Sequence, residues 1–180
     1  MKRFLMLVCI GSVALAAPAA ATARGHARLH GHKSVAVSAY DRWYFVSSAQ
    51  TDLAEIQGGT AALTKSTNPA IVKLAQTLVS DHTALLNSKR VLARKLGIRL
   101  PTAPSPTQQW EAQILSTLSG AQFNHWFATN QIAGHEQAIQ ETVYEIAYGR
   151  NVKIRAAARS ALPMLRMHLA LAEAAAQANP

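Results

Sequence analysis

The chain has 180 residues, one cysteine, and 18 basic against 9 acidic side chains, for a formal charge of +9 at pH 7. This length suits one domain with a buried core, and a single cysteine excludes an intramolecular disulfide framework. We interpret the basic excess as the surface of a soluble protein that associates weakly with anionic envelope surfaces. Nucleic acid is not expected as a partner, and the oligomeric state is left open.

The first residues have the parts of a secretory signal peptide. Lys2 and Arg3 precede an apolar stretch from 4 to 17, and Ala21-Thr22-Ala23 is a small-residue cleavage site. The apolar stretch is too short to span a bilayer, and no later segment is long enough. We therefore predict a signal peptide at 1–23, cleavage near Ala23 with loss of Cys9, and a periplasmic or otherwise exported protein.

Residues 24–39 are predicted to form a basic, histidine-rich, disordered tail. If cleavage leaves Arg24 at the new terminus, Arg24-Gly25-His26 offers an amine, two backbone amides and an imidazole, a square-planar set for Cu(II) or Ni(II). The alternative is a linker that contains histidine by chance. We prefer the linker, because moving the cleavage site by one residue removes the motif.

From residue 40 onward the sequence predicts helices only. Helix-forming residues dominate, apolar side chains recur every three or four positions, and no strand pattern occurs. Caps and helix breakers set the boundaries: Asn68-Pro69, Gly97, Ser105-Pro106, Gly149 and Asn151. The predicted helices are 40–66, 69–96, 106–118, 121–148 and 152–176. Tight connections near 67 and 150 make their neighbours antiparallel, so residues 40–177 are predicted to form an all-α antiparallel four-helix bundle with a short extra helix.

Four polar residues fall at one level of such a bundle: Glu55, His82, His135 and His168. At ~1.5 Å rise per residue, Glu55 and His82 both lie roughly 20 Å from the turn that joins their helices. His135 and His168 also lie at similar distances from the turn between their helices, to within about one helical turn. The histidines lie in the middle of apolar stripes and should point toward the bundle axis. Glu55 fits less well, because it lies roughly 100° from the centre of the apolar face of its helix.

Three imidazoles and a carboxylate suit a transition metal, with Zn, Fe or Cu as candidates. Buried polar groups need partners, and one ion would satisfy all four side chains at once. The alternative is a hydrogen-bond network that fixes the helix register of a structural envelope or stress protein without a metal. The sequence leaves both hypotheses open. It shows no nucleophile or general base at an open metal position, so an enzymatic role is also undecided.

Two further acidic side chains, Asp81 and Glu136, are expected on solvated helix faces. Asp81 and Glu136 lie next to histidines in sequence but point about 100° away from them. The alternative for each is that it orients an imidazole of another helix. A solvated position is also predicted for Glu111, Glu141, Glu145 and Glu173, and His125 is expected at the surface or at a cap.

Four segments resemble a bacterial family of exported proteins of unknown function, often labelled putative membrane or outer-membrane proteins: FVSSAQTDLAEIQGGTAAL, VKLAQTLVSDHTALLNSKRVLARKLGIRLP, FNHWFATNQIAGHEQAIQ and AARSALPMLRMHLALAE. The resemblance covers roughly residues 40–176, and its marks are Glu55, Asp81-His82, His135, and Pro163 followed by His168. That family is regarded as ferritin-like, so the resemblance implies a ferritin-like four-helix bundle. It implies no particular activity.

The chain departs from the di-iron form of that fold, which needs Glu-x-x-His on two helices. Val79 and Leu165 stand three residues before His82 and His168, so both bridging carboxylates are missing. We therefore expect one ion at a histidine-rich site rather than di-iron oxidase chemistry.

Overall fold

The structure, a computed structural model, describes residues 36–180. Within that range it contains five helices and no strand: α1 Ala39–Lys65, α2 Pro69–Leu96, α3 Pro106–Thr117, α4 Gly120–Tyr148 and α5 Val152–Gln177. The all-helical prediction is confirmed there, and the predicted boundaries agree to within one residue. The predicted signal peptide, most of the basic tail and the Arg24-Gly25-His26 motif lie outside the described residues. From residue 36 onward, no helix combines the length and apolar character needed to cross a membrane.

Side-chain caps explain why the helices begin and end where they do. Four polar residues accept hydrogen bonds from the free N–H groups of a helix N-terminus: Ser38 at α1, Asn68 at α2, Ser105 at α3 and Asn151 at α5. Gly97 ends α2 with a φ of 64°, in the left-handed region that glycine adopts without strain. The local sequence therefore determines the helix boundaries before any tertiary contact forms.

The long helices pack in two sequential pairs, α1 with α2 and α4 with α5. Contacts between α2 and α5 and between α1 and α4 join the pairs into a helical bundle, and α3 lies against α1 and α4. Lys65, at the end of α1, holds α3 in place because its ammonium donates a hydrogen bond of 3.0 Å to the carbonyl of Leu118, just past α3. Helix α5 continues through Pro163.

Two apolar clusters lie on either side of a polar layer. One contains Ala62, Ile71, Leu74, Leu78, Phe123, Phe127 and Ala172, and the other contains Tyr44, Phe45, Ala93, Ile154 and Ala158. Along each long helix, one predicted site residue falls between these clusters, and all four are buried: Glu55, His82, His135 and His168. Burying a large apolar side chain contributes about 1.5–3 kcal/mol, so the clusters supply the stability that holds the polar layer in place.

Candidate metal centre

Three histidines from three different helices meet at the centre of the bundle. One nitrogen each from His82 on α2, His135 on α4 and His168 on α5 lies within 4.8 Å of the others. Their ring centroids are 5.1–5.9 Å apart, and none of the three is more than 2% exposed. Each one occupies a position in a buried helical stripe where the period calls for an apolar residue. The prediction that the three histidines share a level and point inward is confirmed.

Each imidazole is oriented by a hydrogen bond to a partner outside the cluster. The three bonds join His82 Nδ1 to Asp52 Oδ1 at 3.0 Å, His135 Nδ1 to the carbonyl oxygen of Gln131 at 2.9 Å, and His168 Nε2 to Asp81 Oδ2 at 3.0 Å. A carbonyl or an ionised carboxylate only accepts, so the imidazole nitrogen donates in each bond. In the neutral tautomer that these bonds select, the ring proton is placed on the outward-facing nitrogen.

The other nitrogen of each ring then presents a lone pair to the middle of the cluster. His82 Nε2 has no hydrogen-bond partner, and His135 Nε2 lies 3.3 Å from His168 Nδ1. Two lone pairs at that distance repel each other unless a proton or a metal ion lies between them. Two nitrogens ~2.0–2.1 Å from one tetrahedral ion are themselves about 3.3 Å apart, so this separation fits a shared ion.

Burial keeps two of these rings in the neutral form that binds metals. Burial and, to a lesser extent, the charges of His82 and His168 lower the pKa of His135 to about 3. The hydrogen bond to Gln131 acts in the opposite direction. Burial also lowers the pKa of His168, and here the hydrogen bond to Asp81 opposes the shift. Both rings therefore carry a free lone pair at neutral pH.

Glu55 lies beside the histidine cluster but does not join it. Its carboxylate oxygens are not among the atoms that lie within 4.8 Å of one another. The side chain is 7% exposed and its Oε2 has no hydrogen-bond partner. Burial raises the pKa of Glu55, whereas the charge of His82 and a hydrogen bond with Gln131 oppose the shift. The structure thus brings three of the four predicted residues together, and a role for Glu55 as fourth ligand stays a prediction.

Asp52 and Lys89 form a buried ion pair that the sequence analysis missed. Asp52 is 1% exposed, and its Oδ2 lies 2.7 Å from the Lys89 ammonium while its Oδ1 holds His82. Lys89 also donates to the carbonyl of Ser48 at 2.9 Å. A signal was present in the sequence, because an aspartate in a helix interior is unfavourable and Asp52 lies one turn before Glu55.

The solvated position predicted for Asp81 is wrong, and the alternative is correct. Its side chain is 33% exposed and reaches from α2 to His168 on α5. The sequence could not decide this, because the contact depends on how α2 and α5 are rotated against each other. Glu136 is exposed, as predicted.

The solvated position predicted for Glu145 is also wrong, since this residue has no exposed surface. Asp41 on α1 accepts hydrogen bonds from the backbone N–H groups of Arg150 at 2.8 Å and Asn151 at 3.1 Å. These bonds hold the α4–α5 connection, and Glu145 with it, against the start of α1. The result is a buried pair of carboxyl groups, Asp41 and Glu145, near the guanidinium of Arg155.

Replacing Glu145 with glutamine is expected to remove one loss of stability that wild type undergoes between about pH 4.5 and 7. Burial first, and then the charge of Asp41, raises the pKa of Glu145 from 4.5 to about 7, against the opposing charge of Arg155. The folded state therefore retains a proton that the unfolded state releases, so this stabilisation is complete below pH 4.5 and lost as the pH rises through 7. Each pKa unit corresponds to about 1.4 kcal/mol, so the stability of wild type relative to Glu145→Gln should fall by roughly 3 kcal/mol across this window. The lowered pKa values of His135 and His168 act in the opposite direction, but they do so in both proteins and cancel in the comparison.

Urea unfolding of wild type and Glu145→Gln at half-unit pH steps measures the effect. Asp41 titrates outside the window, because hydrogen bonds from Ser38, Asn151 and Arg150 outweigh its burial and lower its pKa below 3.8. The exposed Glu173→Gln serves as the control and should keep the wild-type slope. Parallel curves for wild type and Glu145→Gln would contradict the assignment.

The described residues form a helical bundle with three buried histidines at its centre. Residues 27–175 match the family described as a domain of unknown function (DUF4142), and the chain belongs to that family. A solved structure, the crystal structure of a DUF305 fragment from Deinococcus radiodurans, is 15% identical and covers 79% of this chain and 98% of its own, with a TM-score of 0.70. At that identity the similarity shows the fold alone. No curated protein matches the chain.

Proposed function

We propose that this protein is an exported helical bundle that binds one transition-metal ion through His82, His135 and His168. One observation carries the proposal: three inward nitrogens converge, each left with a lone pair because the outward nitrogen of its ring donates to a fixed partner. Hydrogen bonds of this kind set the tautomer and direction of histidine ligands in metal proteins. The donor set suits Zn, Fe or Cu.

A fourth coordination position is left open by the three imidazoles. Glu55 is our candidate for it, since this side chain is buried, is coupled to the charge of His82 and has one oxygen without a hydrogen-bond partner. The side chain would have to move to bring that oxygen to the ion, because it lies outside the set of converging ligand atoms. The positions of two di-iron bridging carboxylates hold Val79 and Leu165, which favours a single ion.

A ferritin-like, antiparallel four-helix arrangement is part of the same proposal. It is supported by the short connections within the α1–α2 and α4–α5 pairs and by the contacts that join the pairs side by side. Such bundles build metal sites from side chains on facing helices, as the three histidines are arranged here.

Metal analysis of the secreted protein, purified without a histidine tag, tests the proposal. We expect about one Zn, Fe or Cu ion per chain and a melting temperature that falls on treatment with a chelator and recovers with the metal. Mass spectrometry of the same sample tests export, with Arg24 as the expected first residue. The metal site would be ruled out if the purified protein contained no metal and its melting temperature were unchanged by added Zn, Fe, Cu and Ni.

That outcome would favour the alternative, in which the same side chains form a structural network in an envelope protein. The 3.3 Å contact between His135 Nε2 and His168 Nδ1 is the observation behind it, because a shared proton between the two nitrogens would make this contact a hydrogen bond. The network predicts that removing a histidine lowers stability without changing any metal affinity.

A further inference from the structure

A cavity of about 350 Å³ lies between α1, α3 and α4, separate from the centre of the histidine cluster. Each of the three helices contributes one glutamate to its lining: Glu55, Glu111 and Glu141. No lysine, arginine or histidine of the described chain lines it. This is a marked local excess of negative charge, because the chain as a whole has 18 basic and 9 acidic residues.

Two buried oxygen atoms beside this cavity lack hydrogen-bond donors. Glu55 and Gln131 both line it, are 7% and 6% exposed, and carry the unpaired atoms Glu55 Oε2 and Gln131 Oε1. Buried acceptors are normally satisfied, and leaving one unsatisfied costs about 1–3 kcal/mol. A ligand that brings N–H donors would remove this cost, since both atoms are acceptors.

The walls and rim of the cavity suit an elongated molecule. Trp126 and Phe127 contribute aromatic surface, which attracts cations and packs against methylene groups. Gly134 leaves open space, since a side-chain carbon placed there would meet no atom within 4 Å. Thr107 and Gln137 are exposed lining residues, so solvent reaches the cavity. Its volume falls within the range of about 300–1,000 Å³ that is typical of small-ligand sites.

We propose that this cavity binds a linear aliphatic polyamine, a chain of methylene groups that carries two or more ammonium groups. Because the carboxylates lie on three separate helices, they suit a ligand with several separated positive charges better than a ligand with a single charge. Ammonium groups supply the missing N–H donors, which a quaternary ammonium lacks. A bare metal ion would leave the aromatic wall and most of the volume unused. Glu55 is also our candidate fourth metal ligand, so the binding test uses metal-free protein and relies on Glu111 and Glu141, which lie outside the histidine cluster.

Calorimetric titration of the chelator-treated full-length mature protein with spermidine, at low ionic strength, tests this. We expect saturable one-site binding that weakens with added salt. The double variant Glu111→Gln/Glu141→Gln should bind at least about tenfold more weakly, equivalent to about 1.4 kcal/mol. Glu136→Gln removes an exposed carboxylate from α4 that does not line the cavity, and it should bind as wild type does. A neutral diol of similar length should not bind.

The position of the ligand is tested separately by amide chemical shifts and by filling the cavity. Spermidine should shift the amide signals of Gly58 and Gly134, which line the cavity, and leave that of Gly97 unchanged. Gly134→Leu should abolish binding while retaining the helical circular dichroism signal, with Gly134→Ala as the matched control. Absence of binding at millimolar spermidine, or equal affinity in wild type and the double glutamine variant, would overturn the proposal whatever the metal content.

Discussion

Replacing His135 with alanine is expected to weaken metal binding by more than about 100-fold. Mutation of a residue that only hydrogen-bonds to a metal ligand already lowers metal affinity by about 10–100-fold, and loss of the ligand itself should cost more. His135 is the most informative of the three positions. Its outward nitrogen donates to the carbonyl of Gln131 on its own helix, so the substitution leaves no side-chain partner orphaned. Removing His82 or His168 would instead release Asp52 or Asp81. Competition against a chromogenic chelator measures the affinity.

The control for this experiment is His125→Ala. His125 lies exposed near the start of α4, ten residues before His135, and its Nδ1 is 2.9 Å from the carbonyl oxygen of Asn179. We expect its affinity to equal that of wild type. His135→Ala also leaves a cavity that costs about 2–4 kcal/mol, so stability is measured in chelator, and His135→Gln provides a variant of closer volume. Unchanged metal affinity in both His135 variants would show that the ion is not held by this cluster.

Replacing Asp52 with alanine is expected to destabilise the fold by about 3–5 kcal/mol, the usual cost of breaking a buried ion pair by removing one partner. Burial lowers the pKa of Lys89, and the charge and hydrogen bond of Asp52 are what oppose that shift. Without Asp52, the Lys89 ammonium loses its counter-charge and keeps only the carbonyl of Ser48 as a hydrogen-bond partner, on a side chain that is 12% exposed. The substitution also frees the ring of His82, so metal affinity should fall by about 10–100-fold. Urea unfolding in chelator isolates the stability effect.

The double variant Asp52→Asn/Lys89→Met separates charge from packing. It removes both members of the pair, and replacing a buried pair by neutral groups is often close to neutral, so most of the lost stability should return. Lys73→Met removes an exposed lysine from the same helix and should change stability by less than about 0.5 kcal/mol. A loss of under about 1 kcal/mol in Asp52→Ala would show that the pair is not a major support of the polar layer.

The sequence predicted the helices well because their boundaries are local. Asn68 and Ser105 cap the helix that follows them within the next three residues, and Gly97 ends α2 through its own backbone conformation. None of these interactions needs a distant residue. Periodicity then determined which face of each helix is buried, and it placed His82, His135 and His168 on those faces because they interrupt apolar stripes.

Prediction failed where a residue lies near the edge of a buried face. Asp81 and Glu145 both lie beside the stripes of their helices, and a small rotation of one helix decides whether such a side chain meets solvent or a neighbour. For Asp81 the neighbour is His168, 87 positions along the chain. For Glu145 it is Asp41, brought close by backbone N–H groups of the α4–α5 connection. Glu55 also lies near the edge of its buried face, and its role as fourth ligand stays a prediction.

By itself, therefore, the sequence determined the class of fold, the helix boundaries and the three inward histidines, because local capping and a 3.6-residue period suffice for these. Only the tertiary structure decided which nitrogen of each ring carries the proton, since Asp52, the carbonyl of Gln131 and Asp81 make that choice through hydrogen bonds. It also decided that α1, α3 and α4 enclose an acidic cavity. Both features depend on the rotation and axial offset of whole helices. The packing of the two apolar clusters determines that geometry, and the sequence of a single helix does not predict it.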